Sequence, residues 1–148
     1  ALAAAKDNLP AAKEIIDDRM FLTPKIAAHA LSPENTSWAQ RLLGRYGDKA
    51  IELLNESSQD QQHNLDATEF SLAECRWAIK YEAVEHLDDL LLRRTRLGMC
   101  LPNGGSNLYP ALKDLFLSYQ SWDEERWQQE VNRYETIWTK YYSLPSNA

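Results

Sequence analysis

The apolar residues of this chain recur at helical spacing. Trp38, Leu42 and Tyr46 stand four apart with Ala39 and Leu43 alongside, one stripe on one helix. Ser32-Pro33-Glu34 supplies its start, a cap followed by a proline at the first helical position and an acid, and Gly47 ends it. Asp48 opens a short helix with Ile51 and Leu54 inward. Ser71 and Glu74 form a capping box and predict a helix to about His86, with Leu72, Cys75, Ala78, Ile79 and Ala83 on one face. Pro110 opens another helix, striped by Leu112, Leu115, Phe116 and Tyr119. Ser121 and Glu124 read as a second capping box. Behind them Trp127, Val131, Tyr134, Trp138 and Tyr141 mark a long last helix that ends before Pro145, with Gln128, Glu130 and Arg133 as polar filling.

The stretches between are less regular. Ala1 to Ala5 is a lead-in, Asn8-Leu9-Pro10 breaks it, Ala11 to Met20 has rough helical spacing, and Phe21 to Leu31 reads as an extended linker. Glu56 to Asn64 is polar and aperiodic, a flexible surface loop. Leu101 to Tyr109 is the clearest loop, because Pro102 and Asn103-Gly104-Gly105 supply turn geometry at little steric cost. No stretch alternates cleanly enough for a strand, and no internal repeat is found. The expected fold is all-α: a single compact domain of five to seven short helices over residues 32–144, preceded by a linker over residues 1–31.

The most informative stretch is Leu87 to Gly98. Asp88 and Asp89 open a short helix, Leu90, Leu91 and Leu92 follow, and Arg93, Arg94 and Arg96 crowd its end before Gly98 stops it. Leucines beside arginines imply that at least one arginine is drawn toward the interior, where a guanidinium needs a carboxylate or an anionic partner. One reading is an internal network with Glu82, Asp88 and Asp89, in which Arg93 pairs with Glu82 or Asp89; replacing a buried Arg93 by Ala then costs a few kcal/mol. The other reading is a binding role, toward phosphate, an anionic lipid or another domain, for which Arg94 and Arg96 are the better candidates.

Composition narrows the function. The 148-residue chain carries a formal net charge of −6, which argues against general nucleic-acid binding while leaving room for one basic patch. Cys75 and Cys100 make no metal-ligand or disulfide pattern, and a reduced, intracellular setting follows. No apolar run approaches the ~18 residues of a bilayer span, and no secretory leader is present. The glycines form neither GxGxxG nor GxxxxGK[ST]. The start at Ala1 reads as a piece of something larger.

Candidate chemistry is sparse. His29, His63 and His86 show no triad or ligand spacing, Cys75 falls on an apolar face, and Cys100 has no neighbouring base. The acids form no recognisable acid–base pair, so no catalytic or metal-binding residue is expected. The aromatic stripe from Trp127 to Tyr141 reads first as core packing, and second as a docking surface for a partner or a membrane-interface belt.

The run Glu82 to Gly98, EAVEHLDDLLLRRTRLG, resembles the signature of the C-terminal helical domain of FAD-dependent glycerol-3-phosphate dehydrogenases and the related glycerophosphate oxidases. Those domains carry a glutamate near a helix end, then Leu-acid-Asp-x-Leu-x-Arg-Arg-Thr, then a glycine. Glu82, Leu87, Asp88, Asp89, Leu91, Arg93, Arg94, Thr95, Arg96 and Gly98 fit. Arg45-Tyr46-Gly47, Ser71-x-x-Glu74 with its aromatic-bearing helix, and Trp122-Asp123 before the last helix agree in order, so the likeness spans Leu31 to Tyr142. His86 departs from the family, which has a Thr there, and the loops Glu56 to Asn64 and Cys100 to Pro110 are not family markers.

The resemblance implies an accessory C-terminal domain of an enzyme oxidising sn-glycerol 3-phosphate to dihydroxyacetone phosphate, with electrons passing through FAD to quinone. It implies an N-terminal FAD-binding domain of the same chain as partner, a homodimer as a further candidate assembly, and no nucleic acid. It also implies a cytoplasmic protein held peripherally at the inner face of the cell membrane. The flavin site would lie upstream, so this stretch alone should hold no cofactor and turn over nothing. The rival class is a free-standing helical interaction module.

Overall fold

The computed structural model describes residues 36–66 and 68–144. The linker, the helix over Ala11 to Met20, the start at Ser32-Pro33, His29 and Pro145 lie outside them. The chain divides into two compact units, the first ending at Leu54 and the second beginning at Asn55. Among the described residues the elements are helical, no strand forms, and no helix is long and apolar enough to cross a membrane. The fold is all-α.

In the first unit, α1 (Thr36–Tyr46) buries Trp38, Ala39 and Leu42. Gly47 ends it with φ +56°, its N–H donating to the Leu43 carbonyl at 2.9 Å. In α2 (Lys49–Glu56) the buried residues are Ala50 and Leu53, not Ile51 and Leu54, which are half-buried. All these positions lie on one broad apolar stripe, and what covers the stripe decides its centre.

The second unit holds the larger core. Its first segment, from Glu56 to Asn64, is not the loose loop expected. The Glu56 carboxylate accepts from Lys80 Nζ and Tyr81 Oη, both at 2.9 Å, and pairs with Arg76 at 3.4 Å. A 3-10 turn over Gln59–Gln62 follows. Before α3 (Leu72–Tyr81), the Glu74 carboxylate accepts both the N–H (2.9 Å) and the hydroxyl (3.0 Å) of Ser71. Both residues are fully buried, so this cap also satisfies polar groups cut off from water. The helix stops at Tyr81 rather than near His86. Ala83 turns the chain at φ +52°, and the Gln120 side-chain amide donates to the carbonyls of Ile79 (3.1 Å) and Val84 (3.0 Å). Those carbonyls find their partner on a distant element rather than in a continued helix.

The segment expected as one regular helix up to Gly98 is instead a π turn over Asp89–Arg94, a reversal, and a short α4 (Leu97–Cys100). The Leu90 carbonyl accepts both the N–H (3.0 Å) and the hydroxyl (2.7 Å) of Thr95, five residues on. The wider turn lets the consecutive Leu90, Leu91 and Leu92 all face inward. Arg96 makes the reversal at φ +58°, so Gly98 is no stop signal. It sits inside α4 against the Tyr134 hydroxyl, Leu92 and the Leu91 carbonyl, where a side chain would collide.

Pro102–Leu108 is likewise not a loose loop but a packed 3-10 segment, with Asn103, Gly104 and Gly105 all left-handed (φ 51°, 68° and 76°). Tyr134 Oη donates to the Gly104 carbonyl and Trp138 Nε1 to the Gly98 carbonyl, both at 2.7 Å. Next come α5 (Tyr109–Tyr119) and α6 (Glu124–Tyr141). The cap of α6 is Asp123, which accepts the Arg126 N–H at 2.8 Å; Ser121 is not part of it. Trp122 stacks on Phe116 with centroids 4.2 Å apart, and Trp127, Val131 and Tyr134 complete the core with Leu87, Leu90, Leu91, Leu97 and Leu112. Each such side chain contributes roughly 1.5–3 kcal/mol. The aromatic stripe is therefore largely spent on the protein's own core; of its members only Tyr141, 66% exposed, stands free of it.

Gly98→Ala should lower stability by about 1–3 kcal/mol through overpacking against Tyr134. Adding Tyr134→Phe, which removes the opposing oxygen, should recover part of that loss. Urea midpoints of the single and double variants check it, and a silent Gly98→Ala would contradict the close approach.

Candidate functional site

A carboxylate cluster joins the arginine-bearing segment to α6. Asp88, at the head of the π turn, and Glu130, in the middle of α6, are each 1% exposed. A buried carboxylate is tolerated only if its charge and lone pairs are met, and here they are. Asp88 Oδ2 pairs with Arg93 Nη2 at 3.1 Å, and Asp88 Oδ1 takes Arg133 Nη1. Glu130 Oε1 accepts from Arg126 Nη2 at 2.7 Å and from His86 Nδ1 at 3.0 Å. Glu130 Oε2 accepts the Leu87 N–H at 3.2 Å, with Arg133 Nη1 3.8 Å away. Because a carboxylate only accepts, His86 carries a proton on Nδ1 in this contact.

Asp89 closes the edge. Its Oδ2 accepts the N–H groups of Glu85 (3.2 Å) and His86 (3.0 Å), and its Oδ1 pairs with Arg93. It supplies the cap that a hydroxyl at position 86 would otherwise give. Burial pushes the Asp89 carboxyl up, but the two N–H donors and then Arg93 outweigh it and hold the group below its ordinary value. The hydrogen bond that Arg133 donates to Asp88 comes first among the influences on Arg133 and, with the nearby acids, outweighs burial to raise it.

The three carboxylates of Asp88, Asp89 and Glu130 face the three guanidinium groups of Arg93, Arg126 and Arg133, a neutral set before His86 is counted. The expected geometry is inverted. No arginine of this cluster is drawn inward: the side chains of Arg93 and Arg133 are 63% and 40% exposed, over acids at 2%, whereas Arg76, which is buried, lies in α3 and pairs with Glu56. The interior takes the short acids, and the long bases reach over them from the rim. Arg93 meets Asp88 and Asp89, while Glu82 stays half-buried at the end of α3 and joins none of these ion pairs. Arg94 and Arg96 are exposed. His63 and Cys100 are exposed and Cys75 is buried.

Sequence reasoning missed Glu130, Arg126, Arg133 and His86. A signal was present: Glu130 stands three after Trp127 and four before Tyr134, on the apolar face of α6, with Arg126 and Arg133 one turn away on either side. An acid on an apolar stripe between two bases is a buried ion-pair pattern.

With every buried oxygen engaged, the cluster offers no open position for a reacting atom. Its chemistry is that of a clamp. A family model describing the C-terminal domain of alpha-glycerophosphate oxidase matches residues 18–127 of the chain. The chain belongs to that family. No curated protein and no solved structure matches it. As a member of a domain family of FAD-dependent oxidoreductases, it can be tested for a flavin site. The Gly104-Gly105 turn does not fit a dinucleotide phosphate, because a Cβ on Gly104 would already touch Trp138 and Tyr134 at 3.0 Å. Among the described residues no group of His, Cys, Asp and Glu could hold a metal ion.

Truncations should separate rim from interior. Glu130→Ala strands the buried Leu87 N–H and empties a 1% exposed position of the core edge, and should cost about 2–4 kcal/mol. Arg133→Ala leaves buried Asp88 with Arg93 alone, for about 2–3 kcal/mol. Arg93→Ala leaves the same acid with Arg133 alone, but Arg93 is the more exposed of the two bases, and it should cost about 1–2 kcal/mol rather than the few expected of a fully buried pair. Denaturant midpoints give the order, and an Arg93→Ala loss matching that of Glu130→Ala would overturn it.

The pH dependence follows from Asp89. A carboxyl depressed below its ordinary 3.8 contributes stability that is complete above that value and lost as pH falls through the lower folded value. The melting temperature should therefore fall below about pH 4, and Asp89→Asn should flatten that acid limb. An unchanged limb in Asp89→Asn would contradict the depressed value.

Proposed function

We propose that this chain is the accessory helical cap of a flavoenzyme that oxidises sn-glycerol 3-phosphate to dihydroxyacetone phosphate, with electrons passing through FAD to quinone. The observation that carries the reading is the family match over residues 18–127, which includes the π-turn segment that brings Asp88, Asp89 and Arg93 to the clamp. The clamp holds the π turn rigidly against α6 and leaves Arg94 and Arg96 at the surface. In this reading those two arginines reach across to the N-terminal FAD-binding domain of the same polypeptide. The parent enzyme works peripherally at the inner face of the cell membrane, with a second copy of the chain as a further candidate partner. The chain by itself binds no flavin and turns over nothing. The rival interaction module loses support because Trp127, Val131 and Tyr134 lie in the core.

Two measurements test this. The 148-residue chain, mixed with FAD and assayed by flavin absorbance and dye reduction, should stay colourless and inactive; bound flavin or turnover would overturn the assignment. In the parent polypeptide, Arg94→Glu with Arg96→Glu should speed proteolytic release of this domain several-fold, while the isolated chain melts as before. Unchanged release would remove the interdomain role.

A further inference from the structure

A motif in the glycine turn lies outside the clamp and is independent of the flavoenzyme reading. Asn103-Gly104 is the one Asn-Gly pair of the 148-residue sequence. Such a pair carries its own chemistry. The Gly104 main-chain nitrogen, giving its proton to a solvent base, can attack Cγ of the Asn103 amide, and no Cβ on the glycine hinders it. The side-chain Cγ–N bond then breaks, ammonia leaves, and a five-membered succinimide ring remains. Water opens that ring at either carbonyl to give aspartate or isoaspartate, with no oxidant or reductant involved. Asparagine counts among the thermolabile residues for this reason. Asn103 is exposed, so water reaches it and ammonia can leave.

The folded backbone holds this reaction back. Ring closure needs Cβ of Asn103 and the Gly104 nitrogen on the same side of the Cα–C bond. At ψ 37° that nitrogen lies beside the Asn103 nitrogen instead, nearly opposite the Cβ of an L residue. Only a large rotation about ψ brings the two together, and that rotation swings the whole Gly104 peptide. Helix α6 opposes the swing. The Gly104 carbonyl accepts from Tyr134 Oη at 2.7 Å, and a Cβ on Gly104 would meet Trp138 at 3.0 Å, so the turn has no slack on that side. Trp138 is itself anchored to the Gly98 carbonyl at 2.7 Å. We infer that Asn103-Gly104 is a self-modification site that α6 holds shut, so that loss of the α6 contact starts an irreversible conversion of Asn103 to aspartate or isoaspartate. The change is one-way structurally as well as chemically. Either product places a carboxylate on the wall that already carries Glu135. Isoaspartate also lengthens the main chain by one carbon, in a segment held to α6 at both Gly98 and Gly104. The opened turn therefore cannot close again in its original form.

The test incubates the 148-residue chain in mildly alkaline buffer and follows Asn103 by peptide mass, with aspartate and isoaspartate separated by chromatography. The same chain unfolded in guanidinium chloride gives the unprotected rate. The native rate should be at least about tenfold lower, because the reaction waits for local opening of the turn. Tyr134→Phe, which frees the Gly104 carbonyl, should raise the native rate several-fold, and Trp138→Phe, which frees the Gly98 carbonyl, should act in the same direction. Asn103→Gln, whose ring would be six-membered, should stay unmodified under all conditions. The purified isoaspartyl product should melt below the unmodified chain. Equal native and unfolded rates would overturn the proposal, as would no conversion of Asn103 in the unfolded chain. An acceleration in both variants no larger than the rise in their globally unfolded fraction, read from denaturant curves, would remove the gating by α6. A product that melts with the unmodified chain would show that the turn closes again, and would equally sink it.

Discussion

The second unit depends on two carboxylates placed where water cannot reach them. Asp88 and Glu130 come from elements far apart in the chain and meet a shared set of guanidinium groups. A buried pair of this kind is weak evidence for stability, because the desolvation of the acids offsets much of the attraction. It is stronger evidence for register. If α6 slipped by one turn, Glu130 would leave the Leu87 N–H and His86 together, and Arg133 would leave Asp88. Each loss strands a charge or a donor in the interior, so alternative packings are penalised more than the native one is favoured. The bases lie at the rim because only a long, flexible stem can cover a buried acid while keeping its own head hydrated.

The same helix carries the second constraint. Tyr134 and Trp138 each reach into the segment after the π turn and donate to a backbone carbonyl there. Those bonds require the backbone of Gly98 and Gly104 to come within reach of large rings, and no residue with a side chain could sit at Gly98 without collision. The π turn contributes to the same end. By spending an extra residue in one turn it buries the three leucines of Leu90–Leu92 and aims α4 at α6. Helix α6 therefore has an apolar face toward the core and an acid edge toward the arginine segment.

The fold was legible where the cause was local. Helix over strand, the stop at Gly47, the Ser71–Glu74 cap and the start at Pro110 are set by residues three or four apart, and the structure contains all of them. The misreadings have one origin. Ala83, Arg96 and Asp123 took roles expected of His86, Gly98 and Ser121 because a distant side chain or backbone group made that arrangement cheaper. The Glu56 to Asn64 segment looked loose because nothing near it in sequence holds it, yet Lys80 and Tyr81 do.

By itself the sequence determined an all-α chain, its main apolar stripes and its membership of a helical domain family, because helical periodicity and a contiguous signature are written in neighbouring residues. Tertiary structure alone decided that in the clamp the acids, not the arginines, are buried, and that Gly98 serves packing rather than termination. His86 meets Glu130 across 44 positions and Asp88 meets Arg133 across 45, and charge burial depends on what arrives from that distance. A side chain's polarity is a property of its residue; whether water can reach it is a property of the whole fold.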